Sequence, residues 1–481
     1  MVTPTKPIKY TRTKTGCWSC RDAGHKCDEE KPKCGRCKRL SIDCKGWGVR
    51  LQWRELDPSK KRNRRRSSAK STCVKSAQSS IEHLSGSSGG SIALSPTVSR
   101  STMSILPADM PLEEYRLLHH WTTHISPLLC TSSLAQPNPF QTHLTPMAFE
   151  KGPLHYMIMS IAAQHLSIED SSPALGITAQ GYQHRAVVSL RAALGDPIAR
   201  ASDMTLASVL VMEIGKRFDG DPKHNVNHLM GAKELIQQRG GPSSFTGSIG
   251  EFLISQFAYQ DLLASMARNG HASVNWQWFN LGDGLLGRST GYDTVILQNV
   301  AQINVLRSQK QLASSKETTL SSMDIVTAGT AIESELKLWK VPAPNGAQAS
   351  TAEAHRCSAL IYLYRVMYNI GAPHPLTLAY VRRCLDAVAS VEPSSPLVAA
   401  HVWPLFTAGC ESIDPRDRDF VRTRLNEMYR QRRIPSLKRV MEAIEEVWLS
   451  KDIEGIDGAE QMCRLGCIEV INDLGREVQL I

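Results

Sequence analysis

Six cysteines packed into 28 residues constrain this chain more than any other feature of it. Cys17, Cys20, Cys27, Cys34, Cys37 and Cys44 form two halves of one design: a pair separated by two residues, then a third cysteine after six more. Adding 17 to each of the first three positions gives the other three. The segment is therefore an internal repeat, two short metal-binding turns related by approximate two-fold symmetry. Structural zinc takes four tetrahedral ligands, and thiolates suit it. Two zincs with separate ligand sets would need eight cysteines, whereas six suffice if two thiolates are shared. Six thiolates and two Zn²⁺ leave a charge of −2, which nearby Lys and Arg help to neutralise. So short a segment has too little apolar surface to fold alone, so the metal is expected to supply the missing stability.

The charge distribution points to a partner. The net charge is +10, but residues 1–70 hold 21 Lys and Arg against 7 Asp and Glu, and the remainder holds 35 against 39. All of the positive excess sits in the first 70 residues, which predicts a polyanion partner for one small segment. Met1 to Lys14 is polar and basic and has no apolar stretch resembling a secretory signal. No run of about 18 apolar residues is present to span a membrane. The expectation is an intracellular protein whose thirteen cysteines are metal ligands and buried thiols rather than disulfides.

The stretch CWSCRDAGHKCDEEKPKCGRCKRLSIDC, Cys17 to Cys44, resembles the fungal binuclear zinc cluster family of transcription factors. The resemblance implies two Zn²⁺ per chain, with Cys17 and Cys34 as bridging ligands and Pro32 shaping the loop between the halves. It also implies a short helix between the second and third cysteines, whose C-terminal end enters the major groove of double-stranded DNA and commonly reads CGG-like half-sites. Here that segment is Arg21-Asp22-Ala23-Gly24-His25-Lys26. Arg21 and Lys26 match the family's basic pattern. Ala23 and Gly24 replace its usual central basic residues, and Asp22 adds a negative charge. Backbone carbonyls near Gly24 could accept from cytosine amino groups, while Lys26 or His25 could reach guanine acceptors. Arg36, Lys38 and Arg39, at the symmetric place, are expected to hold phosphates, as are Arg12 and Lys14 from the N-terminal arm. The bland alternative for each is a solvated charge.

Lys60, Lys61, Arg62, Arg64, Arg65 and Arg66 form a dense basic run, read as a nuclear-import signal. The nucleus, the import machinery and the transcription machinery follow as expected location and partners. Residues 45–53 carry no heptad repeat, so a coiled-coil dimer is not evident. The expected organisation is a basic arm (1–16), the zinc cluster DNA-binding domain (17–44) and a basic extension (45–66). A disordered Ser- and Gly-rich linker (67–111) and an all-α regulatory domain (112–481) follow.

The all-α reading rests on periodicity. Leu154, Met157, Ile158, Ile161 and Ala162 recur on one helical face, as do Leu437, Val440, Met441, Ile444 and Trp448. A helix ending near Arg239 meets Gly240-Gly241-Pro242, a stop signal. HLMGAKELIQQRGG (His228 to Gly241), CSALIYLYRVMY (Cys357 to Tyr368) and WPLFTAGCES (Trp403 to Ser412) resemble the fungal-specific transcription factor domain. That domain is regulatory and not catalytic. Within the second stretch, Leu360, Ile361, Leu363, Tyr364 and Met367 read as a buried face.

Apparent enzyme motifs carry no chemistry. Gly86 to Gly90 fits the hydrolase G-x-S-x-G pattern but lies in the Ser/Gly linker, without the strand-turn-helix that pattern requires. His120 and His124 are four apart on a helix, yet Trp121 stands where a zinc protease needs glutamate. Cys463 and Cys467 have the same spacing and no evident partner ligands. The reading is a nuclear, zinc-dependent, sequence-specific DNA-binding transcription regulator and not an enzyme. Its rivals are a zinc-dependent protein-interaction module and an enzyme housed in the helical zone.

Overall fold

The computed structural model describes residues 17–30, 33–44, 110–130, 137–219, 227–267, 294–314, 322–340, 346–464, 466–473 and 478–480. Arg12, Lys14, Pro32, residues 45–53, the basic run Lys60 to Arg66, the Gly86 to Gly90 motif and most of the expected linker lie outside them. The chain divides into two compact units, Met1–Pro96 and Thr97–Ile481.

In the first unit the sequence repeat is a backbone repeat. Helix α1 spans Trp18–Asp22 and α2 spans Gly35–Arg39, again 17 residues apart. Both begin directly after the first cysteine of their half. The N–H of Arg21 donates to the Cys17 carbonyl at 3.0 Å, and that of Lys38 to the Cys34 carbonyl at 3.0 Å. Each helix ends on a left-handed residue, Gly24 at φ +70° and Ser41 at φ +51°. The next N–H then returns to the second cysteine: His25 to the Cys20 carbonyl at 2.9 Å, Ile42 to the Cys37 carbonyl at 3.0 Å. The first half uses glycine for the left-handed turn, where no Cβ penalty arises; the second uses serine and bears one.

The second unit contains no strand among its described residues, as its periodicity predicts. Its principal helices are α3 (Leu112–His120), α4 (Pro153–Glu169), α5 (Pro173–Gly195), α6 (Asp203–Gly215), α7 (His228–Gln238) and α8 (Gly247–Ala267). They continue with α9 (Thr294–Ser314), α10 (Ser322–Leu338), α11 (Ala347–Tyr368), α12 (Pro375–Ala389) and α13 (Val402–Cys410). The last three are α14 (Pro415–Arg432), α15 (Ser436–Asp457) and α16 (Cys467–Asp473).

Local sequence sets many of the starts. Pro153, Pro173, Pro375 and Pro415 occupy first helical positions, where a missing N–H costs nothing. Ser202 and Asn227 cap α6 and α7 by accepting from Thr205 and Met230 N–H groups. The stop predicted near Arg239 is present: the helix ends at Gln238, with Gly240 at φ +112° and Gly241 at +90°.

Helix α4 packs against α3, α5 and α6, and α11 against α9, α10, α12 and α13. All five residues of the predicted α4 face are buried, but so are His155, Met159, Ser160 and Ala163. The sequence shows one apolar face; three packed neighbours cover the rest. On α15, Leu437, Val440, Ile444 and Trp448 are buried, with Met441 half-buried at the margin. Leu360, Ile361, Leu363, Tyr364 and Met367 on α11 are buried as predicted.

The three family-like stretches do identifiable work in this core. From the first, Arg239 donates to Asp203 at 2.5 Å and lies over the Phe245 ring, 4.0 Å from its centre. From the second, Tyr364 donates to Glu333 at 2.9 Å. In the third, Gly409 allows α13 to approach Val421 and Ile444 closely, and its carbonyl accepts from the Trp448 indole at 2.7 Å.

Candidate metal centre and nucleic-acid interface

The interior of the first unit is sulfur. Among its described residues the buried apolar set consists of Cys17, Cys20, Cys27, Cys34 and Cys37, with half-buried Cys44 against them. Without a bound ion this is a core of ionisable thiols, whose burial stabilises little.

The sulfur positions test whether zinc fits. The Cys17 Sγ lies 3.5 Å from that of Cys34 and 3.9 Å from that of Cys37, and the Cys20 and Cys34 sulfurs are 3.6 Å apart. Tetrahedral zinc with Zn–S bonds of about 2.3 Å separates its sulfurs by about 3.8 Å. The sulfurs of Cys17, Cys20, Cys34 and Cys37 all lie within 4.8 Å of one another, and Cys27 lies within that distance of Cys34. Cys34 belongs to both groupings and so lies between the two sets of donors. The donor set fits two zincs.

The backbone prepares the thiolates. The Cys37 N–H points at the Cys34 sulfur at 3.4 Å, and this contact above all lowers the Cys34 thiol to about 6. The N–H groups of Cys17 and Glu29 each approach the Cys27 sulfur at 3.4 Å. Burial nevertheless pushes Cys17 and Cys27 up. A coordinated metal reverses that preference, because a ligating thiol is deprotonated outright.

Two contacts that local sequence patterns do not reveal lock the halves together. The Asp28 carboxylate accepts from the N–H groups of Gly35 at 3.0 Å and Arg36 at 3.1 Å, at the start of α2. Desolvation pushes this carboxyl up, but the N–H groups of Gly35, Glu30 and Arg36 together hold it below its usual range. Ser19 Oγ donates to the Asp43 carbonyl at 2.8 Å, tying α1 to the end of the second half. The only sequence signal for Asp28 is an acidic residue seven positions before a helix start, too remote for capping rules.

The basic residues divide. Arg21, His25, Lys26, Lys38 and Arg39 are exposed. Arg36 is half-buried, and its guanidinium reaches back toward the Cys20 sulfur at 3.9 Å, where it offsets cluster charge. The helix location differs from the expectation. The α-helical segment runs from Trp18 to Asp22, beginning before the second cysteine; left-handed Gly24 ends it, and His25 to Cys27 continue as non-helical chain. His25 and Lys26 therefore follow the turn rather than ride on the helix.

Comparison with known proteins agrees with this geometry. Residues 15–54 match the fungal Zn(2)-Cys(6) binuclear cluster domain, and residues 116–481 match the fungal specific transcription factor domain. The chain is 46% identical over 50 residues to pestheic acid cluster transcriptional regulator 3 of Pestalotiopsis fici, 10% of this chain and 9% of that protein. It is 24% identical over 242 residues to the phomenoic acid biosynthesis cluster-specific transcriptional regulator of Leptosphaeria maculans, 47% of this chain and 42% of that one. It is 22% identical over 402 residues to the acriflavine sensitivity control protein of Neurospora crassa, 73% of this chain and 65% of that one. The chain thus matches less than a tenth of the first of these relatives and under half of the second. No solved structure matches the chain. A Zn(2)-Cys(6) domain binds two zinc ions, and the spacing of the sulfurs accommodates both.

Proposed function

This chain belongs to the fungal-specific transcription factor family, matched through residues 116–481, and from that premise we propose that it is a zinc-dependent, sequence-specific DNA-binding regulator of transcription acting in the nucleus. The observation that carries the reading is the two-fold sulfur cage, with basic side chains exposed around it. Cys17, Cys20, Cys27, Cys34, Cys37 and Cys44 hold the two zincs, Cys17 and Cys34 as the shared ligands. When bound, the metal supplies the folding energy that the segment's own side chains lack.

Around that frame, Lys26, with His25 beside it, presents donors to guanine edges, and the carbonyls at the Gly24 turn accept from cytosine. Arg21, Lys38 and Arg39 hold phosphates and set the register, as do Arg12 and Lys14. Arg36 divides its charge between phosphate and cluster. Lys60, Lys61, Arg62, Arg64, Arg65 and Arg66 direct nuclear import. The working units are 1–16, 17–44, 45–66, 67–111 and 112–481, the last a regulatory domain without catalysis. Two relatives carry names of biosynthetic-cluster regulators, which supports a pathway-specific role.

Selection of bound duplexes from a random pool by the full-length protein is the test. A recovered motif containing CGG-like half-sites, lost with chelator, is the expected result. Recovery of no motif, with retention of random and selected duplexes alike, would reduce the cluster to a structural or protein-binding module.

A further inference from the structure

A second set of metal donors lies in the helical unit. His120 ends α3, and His165 and Glu169 stand one turn apart near the end of α4. His120 and His165 are buried, at 6% and 1% exposure, while the Glu169 side chain is 34% exposed and opens the group to solvent. The His120 Nε2 and His165 Nδ1 are 2.9 Å apart, and one Glu169 oxygen lies 3.7 Å from each. A triangle with these sides has its centre about 2.0 Å from every corner, which matches Zn–N and Zn–O bonds of about 2.0–2.2 Å.

Two further features point to a ligand. The outer nitrogen of His165, Nε2, lies 2.9 Å from the Arg432 carbonyl at the end of α14. A carbonyl only accepts, so the proton is on Nε2 and the Nδ1 lone pair faces inward. An imidazole whose far N–H is held by a carbonyl is the arrangement that metal-bound histidines keep. The chain also changes pitch at this point: α3 passes directly into a π-helical turn, Trp121–Ile125, and Ser126 Oγ bonds the Trp121 carbonyl at 3.0 Å. Such turns cluster at functional sites. Here the turn stacks the His124 ring on that of His120, with centres 4.8 Å apart. Arg116, one turn before His120 on α3, pairs with Asp170 at 3.5 Å.

We propose that His120, His165 and Glu169 form a third zinc site with one position left for water. In the metal-free state His120 Nε2–H donates to His165 Nδ1; zinc loading moves that proton to His120 Nδ1 and leaves both inward nitrogens as ligands. The bound ion then joins the ends of α3 and α4, and through the His165 hydrogen bond the end of α14.

Native mass spectrometry of the full-length protein, titrated with zinc, tests this. Wild type is expected to take one more ion than Glu169→Gln or His120→Gln, or to hold its last ion roughly tenfold or more tightly. Glu169→Gln changes a partly exposed side chain, so the comparison stands even if His120→Gln does not fold. Cobalt substitution gives a second reading. The cluster shows thiolate-to-cobalt charge transfer, and the extra ion in wild type adds d–d absorption without it. Because the difference between two proteins is read, failure of the cluster lowers both counts and leaves the difference standing. Equal stoichiometry and affinity in wild type and Glu169→Gln, or an extra ion with sulfur ligation alone, would overturn the proposal.

Discussion

Glu411 is the centre of a buried ionic knot, and removing its charge while keeping its shape should be among the most damaging conservative changes in the helical unit. Its carboxylate pairs with Lys451, whose side chain is fully buried, and accepts from Arg365 Nη2 at 2.5 Å and the Ala372 N–H at 2.8 Å. Arg365 extends the knot by donating to the Cys463 carbonyl at 2.6 Å. Burial pushes the Glu411 carboxyl up, but Lys451 and Arg365 more than reverse this and hold it below its usual range.

Glu411→Gln leaves Lys451 as a buried cation without its counter-charge, a change that costs about 3–5 kcal/mol. Lys451→Met should cost less, about 1–2 kcal/mol, because Glu411 keeps Arg365 and the Ala372 N–H. In Glu411→Gln/Lys451→Met the fully buried Lys451 cation is gone and only the partly exposed Arg365 lacks its counter-charge, so the double variant should be more stable than Glu411→Gln alone. The coupling should be about 2 kcal/mol or more. Urea denaturation of the full-length protein, followed by far-ultraviolet circular dichroism, measures all four corners of the cycle. Additive single effects, or a Glu411→Gln cost below that of Lys451→Met, would refute the reasoning.

Acid should weaken the same unit. Burial lowers His401 to about 3, with His355, Arg424 and Arg432 adding to it, and burial lowers His355 to about 4. Both are neutral when folded and titrate near 6.5 when unfolded, so the unfolded chain binds more protons and stability falls as pH drops below 6.5. At pH 5.5 each should cost about 1.4 kcal/mol relative to neutral pH, a loss that denaturant midpoints at pH 7.5 and 5.5 would register and that His401→Gln should lessen. In the cluster, Ser41→Gly should relieve a left-handed strain and Gly24→Ala should create one, each by about 1–2 kcal/mol. Since folding and metal binding are coupled there, zinc competition titrations should show opposite shifts; shifts in one direction would dismiss the two-fold argument. Lys26→Ala should cost about 1–3 kcal/mol at the cognate site and relax one base position, whereas Lys38→Ala should weaken all duplexes and lower the salt slope by about one. Equal loss on cognate and scrambled DNA for Lys26→Ala would make it a phosphate contact.

The cluster was legible because its information is local. A 17-residue repeat of cysteines dictates a repeated backbone, down to left-handed residues at Gly24 and Ser41, because six sulfurs around two ions admit few chain paths. The helical unit was legible as helices for a similar reason: apolar spacing, first-position prolines and Gly240-Gly241 act over a few residues. The helix beside Arg21 to Lys26 ends earlier than the family resemblance implies, because the left-handed glycine within that stretch stops it after Asp22.

Residue type and spacing by themselves determined the zinc chemistry, the basic N-terminal segment and the all-α class, since each depends on neighbours in the chain. Only the tertiary structure decided that Asp28 caps a helix seven residues away, that Arg36 turns toward Cys20, and that Glu411 gathers Arg365 and Lys451. It also decided that His120, which has Trp121 and not a glutamate beside it in the chain, meets a carboxylate at Glu169 instead. Those contacts join residues up to 86 positions apart, from Arg365 to Lys451 through Glu411. Their energies come from desolvation and from charge held at short range in a packed interior, a property of the assembled core that no stretch of sequence carries alone.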